Sequence, residues 1–209
     1  VKETYKKIIE HYENCLKAHG DTHLGVDWPN YEDAITRYQV MLDVIRDKDT
    51  QVTVLDFGCG TSHLYQFILE NKHGNITYSG LDISKSYIDI SQKKYPENTY
   101  YNLDILKETN TISNFDYIIC NGVFTEKREL SFDAMWHYFK DMITIIFNKS
   151  NKGIAFNVMS KAVDWERWDL FHLPTDLLID FMIKDLSRNF IIRNDYGLYE
   201  YTVYLYKEI

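Results

Sequence analysis

The sequence of 209 residues has no run of basic residues: 23 Lys and Arg stand against 31 Asp and Glu, for a formal charge of -8. A protein that grips a nucleic-acid backbone carries a basic patch, so DNA and RNA are not expected as partners. Cysteine is scarce as well. Cys15, Cys59 and Cys120 are scattered without a CxxC pair, a pattern that suggests neither a disulfide framework nor a zinc site. No tight cluster of metal ligands stands out, and no metal is expected. Apolar runs fall short of the roughly 18–20 residues of a membrane span. The first residues, Val1 to Lys7, lead into no signal-like apolar stretch. A soluble protein in a reducing, cytoplasmic compartment is expected, without a membrane partner. Repeats, low-complexity tracts and linkers are missing too, so 1–209 reads as one domain. The sequence carries no signal of oligomeric state.

What the chain does have is an organising stretch, Val52-Thr53-Val54-Leu55-Asp56-Phe57-Gly58-Cys59-Gly60-Thr61-Ser62-His63-Leu64. It opens as an apolar, β-branched run, breaks at two glycines and resumes with helical spacing, which predicts a strand, a tight turn and a helix N-terminus. Gly58 and Gly60 allow conformations closed to other residues and leave the main chain bare toward a ligand. Thr61 or Ser62 is placed to cap the new helix, whose free N–H groups then face a polar ligand. A dinucleotide-binding dehydrogenase would need glycine three residues after Gly60 for helix–sheet packing, and that position is His63.

Before this stretch, 1–50 predicts a helical cap. Tyr5, Ile8, Ile9, Tyr12 and Leu16 form an amphipathic stripe that Gly20 ends, and a second helix runs from about Tyr31 to Ile45. A polar loop, His19 to Asn30, joins them. From Val52 onward strands and helices alternate, which implies a parallel sheet covered on both faces. Strands are predicted near 52–57, 76–82, 98–103, 115–121 and 152–159, and helices near 62–72, 84–95, 132–149 and 174–187. Asn189–Arg193 and Tyr199–Tyr206 close the chain as an antiparallel hairpin. Aromatics are 15% of the chain, with 17 tyrosines; most fit half-buried packing, and some could line a cleft for a polar small molecule.

Asp56, Gly58 and Gly60 resemble motif I of the class I S-adenosylmethionine-dependent methyltransferases, with Ser62 where a third glycine is usual. Three further stretches extend the resemblance over about 50–125. Tyr78-Ser79-Gly80-Leu81-Asp82-Ile83-Ser84 ends the second strand on an acid, which can accept from both ribose hydroxyls; as a plain alternative, Asp82 caps the next helix, for which Ser84 is better placed. Tyr101-Asn102-Leu103-Asp104-Ile105-Leu106 ends the third, where the resemblance implies that Asp104 accepts from the adenine amino group and Ile105 packs on the ring; Asp104 also suits a simple turn. Phe115-Asp116-Tyr117-Ile118-Ile119-Cys120-Asn121-Gly122-Val123-Phe124 is similar to the fourth motif, with Asn121 and Val123 beside the methionine part of the cofactor. It lacks the acidic, Pro-Pro-aromatic ending of nucleic-acid amino methyltransferases.

The resemblance implies an α/β, three-layer Rossmann-like fold: a mostly parallel seven-stranded sheet, a C-terminal antiparallel hairpin and an N-terminal helical cap (1–50) on the core (51–209). It implies S-adenosyl-L-methionine as cofactor, with Arg37 of the cap expected to pair with the methionine carboxylate. The acceptor is expected to be a small polar molecule, a hydroxyl of a sugar or of a phosphate-containing polysaccharide precursor, since the whole chain is similar to small methyltransferases of bacterial surface-polysaccharide biosynthesis. A hydroxyl needs a general base. His23 is the first candidate, followed by His172 and Glu126, each of which also fits an ordinary loop role. Asn157–Arg167 with Trp168, Phe171 and His172 is a candidate substrate lid. A binding module without turnover and a protein methyltransferase are the alternative functions.

Overall fold

The computed structural model describes residues 5–108 and 111–207. The expected start of the cap at Val1–Thr4 lies outside them. Helix α1 (Lys6–His19) follows its apolar stripe and stops at Gly20, whose φ of 63° is open to glycine. A single 3-10 turn, His23–Val26, then leads to α2 (Tyr31–Leu42). The side chain of Asn30 accepts from the amides of Glu32 and Asp33 and so starts α2.

The sheet strands are β1 (Val52–Phe57), β2 (Ile76–Asp82), β3 (Thr99–Asn102), β4 (Phe115–Cys120), β5 (Ser150–Met159), β6 (Phe190–Arg193) and β7 (Glu200–Tyr206). Between them lie α3 (His63–Glu70), α4 (Lys85–Lys94), α5 (Phe132–Lys149) and α6 (Thr175–Asp185). All seven strands form one sheet in the order β3-β2-β1-β4-β5-β7-β6, parallel from β3 to β5, with β7 antiparallel to both β5 and β6. This is the expected Rossmann-like fold with its C-terminal hairpin.

Alternation along the central strands divides the core into two layers. Leu55 and Phe57 of β1 face a cluster built with α5 and α6, including Phe139, Ile143, Phe181 and Met182. Val52 and Val54 face the other cluster, where Met41 and Leu42 of α2 meet Leu64 and Ile68 of α3. The strand order reverses between β1 and β4, and the C-terminal ends of those strands diverge into a crevice, the usual place for a ligand in such sheets.

One buried polar chain ties this crevice to the cap. The Gly122 amide donates to Asn157 Oδ1 at 2.7 Å, and Asn157 Nδ2 donates to Glu200 Oε1 at 2.8 Å. Arg37 of α2 then donates to both Glu200 oxygens, from Nε at 3.0 and 2.9 Å. Glu200 is only 1% exposed. Removing one member of a buried ion pair leaves the other charge uncompensated, at about 3–5 kcal/mol. Arg37→Ala should therefore lower the unfolding free energy by about that much in urea titrations, whereas Arg37→Met combined with Glu200→Leu should recover most of it.

Candidate active site

The crevice holds two adjoining cavities. The first, of about 160 Å³, is lined by the ends of β1 to β4 and roofed by Ile8, Ile9 and Tyr12 of α1 and by Tyr5 just before it. Its floor is the turn after β1. Gly58, Gly60 and Ser62 all lie in the left-handed region, with φ of 75°, 53° and 63°. Two of these conformations are free to glycine; Ser62 pays a steric penalty in the third. A Cβ on Gly58 would come within 2.6 Å of Val123, and one on Gly60 within 3.0 Å of Val26. Neither expected cap forms at α3: Ser62 Oγ donates to Tyr100 at 3.2 Å, and Thr61 Oγ1 pairs with His63 at 3.0 Å. A left-handed Ser62 aims its hydroxyl away from the α3 amides.

Asp82 closes the turn. Its Oδ2 accepts from the Gly60 amide at 3.0 Å and its Oδ1 from the Ser84 amide at 2.8 Å. Burial raises its pKa from 3.8 to about 6 against those two bonds. Ser84 is the N-terminal flanking residue of α4, but its hydroxyl donates to Glu13 rather than capping the helix. Asp56 accepts from the Tyr78 hydroxyl at 2.8 Å. Burial first, and the neighbouring Asp82 charge second, push its pKa from 3.8 to about 7 despite that bond. Asp104 takes the opposite course. Burial opposes its ionisation, yet bonds from Lys107 and from the Tyr5 hydroxyl at 2.5 Å outweigh it and hold its pKa low. Ile83, Ile105, Asn121 and Val123 complete the lining. Nine of the ten expected cofactor residues thus share one cavity.

The tenth does not. Arg37 stands in the wall of the second cavity, bonded to Glu200 and stacked 4.2 Å from the Trp28 ring. One residue along a helix turns the side chain by about 100°, and it is the next residue, Tyr38, that faces the first cavity.

The second cavity, of about 380 Å³, opens beside the first and shares Tyr12 and Trp28 with it. A Cβ on Gly122 would lie 2.6 Å from the Trp28 ring, so the indole seats directly on the end of β4. Glu126 and His172 line this cavity with Trp165 and Tyr199. Burial raises the Glu126 pKa although Arg128 donates to it at 3.2 Å. Both ring nitrogens of His172 are committed: Nδ1 to the Ser160 carbonyl at 2.7 Å and Nε2 to the Arg167 amide at 3.2 Å. His23 lines neither cavity; its Nδ1 meets the Trp28 carbonyl at 2.6 Å and so shapes the loop. Of the expected lid, Trp165 and Trp168 are exposed, while Phe171 is buried in the core beside Phe139. The sequence reading missed Glu200, and it placed Asn157 at the start of the lid, whereas Asn157 is buried within β5, where it meets Glu200 through the pairing of β5 with β7. It took Trp28 only as part of the loop.

Comparison with known proteins agrees with this geometry. Residues 55–140 match the model of a methyltransferase domain family. A Mycobacterium tuberculosis protein that carries a methyltransferase name is 23% identical over 158 residues, 74% of this chain and 93% of that one. Magnesium protoporphyrin IX methyltransferase from Synechocystis PCC 6803, solved with bound S-adenosylmethionine, superposes with a TM-score of 0.64 at 15% identity, over 97% of both chains. The N-methyltransferase NodS from Bradyrhizobium japonicum WM9, solved with S-adenosylhomocysteine, gives 0.65 at 16%, over 94% of this chain and 96% of that one. The family match covers less than half of the chain, and the two solved structures share its fold, a Rossmann-like sheet closed by an antiparallel hairpin. No helix among the described residues is long and apolar enough to cross a membrane.

Because its folded pKa is raised, Asp56 binds an extra proton in the native state between about pH 4 and 7. Its contribution is most favourable at the acid end of that window and declines as pH rises through it. Asp56→Asn removes the decline. The stability of the variant relative to the wild type, from urea melts across the window, should therefore increase steadily with pH.

Proposed function

We propose that the chain binds S-adenosylmethionine in the first cavity and catalyses methyl transfer to a hydroxyl of a small acceptor held in the second. The observation that carries this reading is the shared wall: two cavities of unlike lining meet at Tyr12 and Trp28, above the end of β4. The first cavity fits the cofactor. Asn121 Oδ1 is buried in its lining without a hydrogen-bond partner among the described residues, an acceptor waiting for a donor such as an ammonium group. Gly58 and Gly60 offer bare backbone beside it. Each Asp82 oxygen keeps a lone pair for a ribose hydroxyl, and Asp104 with Ile83 and Ile105 would hold the adenine.

The cofactor, when bound, supplies an electrophilic methyl group. The protein's part is alignment and exclusion of water, which the α1 roof supports. Deprotonating a hydroxyl is the remaining task. Glu126, rather than His23 or His172, is the base we favour, because it lines the second cavity and its raised pKa brings it closer to neutrality. The aromatic faces of Trp28, Trp165 and Tyr199 in that cavity support a sugar-like acceptor, in keeping with the resemblance to polysaccharide-modifying enzymes. A cytoplasmic site of action, without nucleic acid as substrate, belongs to the same reading; three free thiols and the acidic charge support it.

Calorimetry with S-adenosylhomocysteine tests the first cavity. Binding is expected, and Asp82→Ala should weaken it by about 1.5–3 kcal/mol for a lost charged hydrogen bond; unchanged affinity would remove Asp82 from the site. Release of S-adenosylhomocysteine over a panel of sugar acceptors tests the reaction. On any acceptor found, Glu126→Gln should lower kcat by about 10²–10⁴ with cofactor affinity unchanged. Full turnover in that variant would remove Glu126 as the base, and no turnover by the wild type on any acceptor would favour a silent binding module.

A further inference from the structure

Three residues outside the assigned machinery converge where the cap meets the second cavity. His11 and Cys15 sit one turn apart on the same face of α1, and Asp27 follows the 3-10 turn. Asp27 adopts a left-handed φ of 61°, a conformation that aspartate tolerates better than most residues, and its carboxylate reaches back to α1. His11 Nε2 lies 2.7 Å from Asp27 Oδ2 and 3.8 Å from Cys15 Sγ. One donor atom from each of the three falls within 4.8 Å of the others. In a tetrahedral zinc site, metal–ligand lengths of about 2.0–2.3 Å place neighbouring donors about 3.3–3.6 Å apart. The observed spacings bracket that value, so small side-chain shifts would admit an ion.

We propose that His11 Nε2, Cys15 Sγ and the Asp27 carboxylate bind a divalent transition-metal ion of the zinc type. The donor set is one imidazole, one thiolate and one carboxylate, a mixture suited to zinc and cobalt rather than to magnesium or calcium, which prefer oxygen alone. Three protein ligands leave a tetrahedral ion one open position. His11 and Asp27 line the second cavity while Cys15 is absent from the lining of both, so the ion sits in the cavity wall with its open side inward. There it would take an oxygen donor of the acceptor, a step that rests on the methyltransferase reading; the metal site itself does not. Binding displaces the proton held between His11 and Asp27 and the proton of the Cys15 thiol.

The test uses the full chain, stripped with a chelator and titrated by calorimetry with zinc chloride and by absorbance with cobalt(II). One bound equivalent is expected, with a thiolate-to-cobalt charge-transfer band in the near ultraviolet and the intense visible bands of tetrahedral cobalt. Cys15→Ser should abolish the charge-transfer band, and Cys15→Ser, His11→Ala and Asp27→Asn should each weaken zinc binding by about tenfold or more. Thermal melts confirm that each variant is folded. No saturable binding, or wild-type affinity in all three folded variants, overturns the site and leaves a plain hydrogen-bonded chain. S-adenosylhomocysteine titrated into the same samples separates the two readings: zinc binding without it retires the methyltransferase reading and keeps the metal site, and the reverse retires the metal site alone.

Discussion

The hydrogen bond from the Gly60 amide to the buried Asp82 carboxylate is the contact on which the site depends. It ties the turn after β1 to the end of β2 and holds three alternating left-handed residues in place. Without that turn the chain could not reverse from β1 into α3 within so few residues, and Val26 could not rest on Gly60. The arrangement places a carboxylate where burial raises its pKa, next to a second buried acid. Two backbone amides offset part of that burial. A charge held in low dielectric by fixed dipoles is also what orients a polar ligand without reorganisation.

The cap is bound to the core by a comparable logic. Tyr87 of α4 donates to the carbonyls of Tyr12 and Gly25, both at 2.8 Å, and Asp21 pairs with Lys94 at 2.8 Å and His63 at 2.9 Å. Trp28 fills the space that a side chain at Gly122 would take. The same Gly122 begins the polar chain through Asn157 and Glu200 to Arg37, whose guanidinium stacks on Trp28. Cap and sheet therefore close a loop of contacts around the second cavity, and its shape is set by elements far apart in sequence.

That separation explains what could and could not be read from the sequence. Periodicity is local, so each expected strand is found within a few residues of its predicted bounds; β5, for instance, begins at Ser150 rather than 152. Glycines before a helix and acids at strand ends are local signals too, and Asp56, Gly58, Gly60, Asp82 and Asp104 all meet in one cavity. Even Ser62 is legible in retrospect, because its left-handed φ shows why a glycine is usual there. Arg37 was misplaced because its partner, Glu200, lies 163 residues away and nothing local announces a buried carboxylate. His23 was chosen for its loop, but a ring nitrogen held by a carbonyl of the same loop shapes the backbone instead. The grouping of His11, Cys15 and Asp27 was hidden because Asp27 joins the helical pair only through the 3-10 turn.

The charges around the second cavity narrow what the proposed acceptor can be. Each arginine in its lining already has a carboxylate: Arg37 with Glu200, Arg128 with Glu126 and Asp169, and Arg167 with Asp169 at 2.6 Å. A phosphate that took Arg37 from Glu200 would leave that acid, 1% exposed, uncompensated, which costs several kcal/mol. A neutral hydroxyl-bearing acceptor faces no such exchange. It can lie against the indole and phenol faces while its hydroxyls share the carboxylates that the arginines hold in place. In the proposed reading the arginines fix the acids, and a neutral hydroxyl meets the cavity without displacing them.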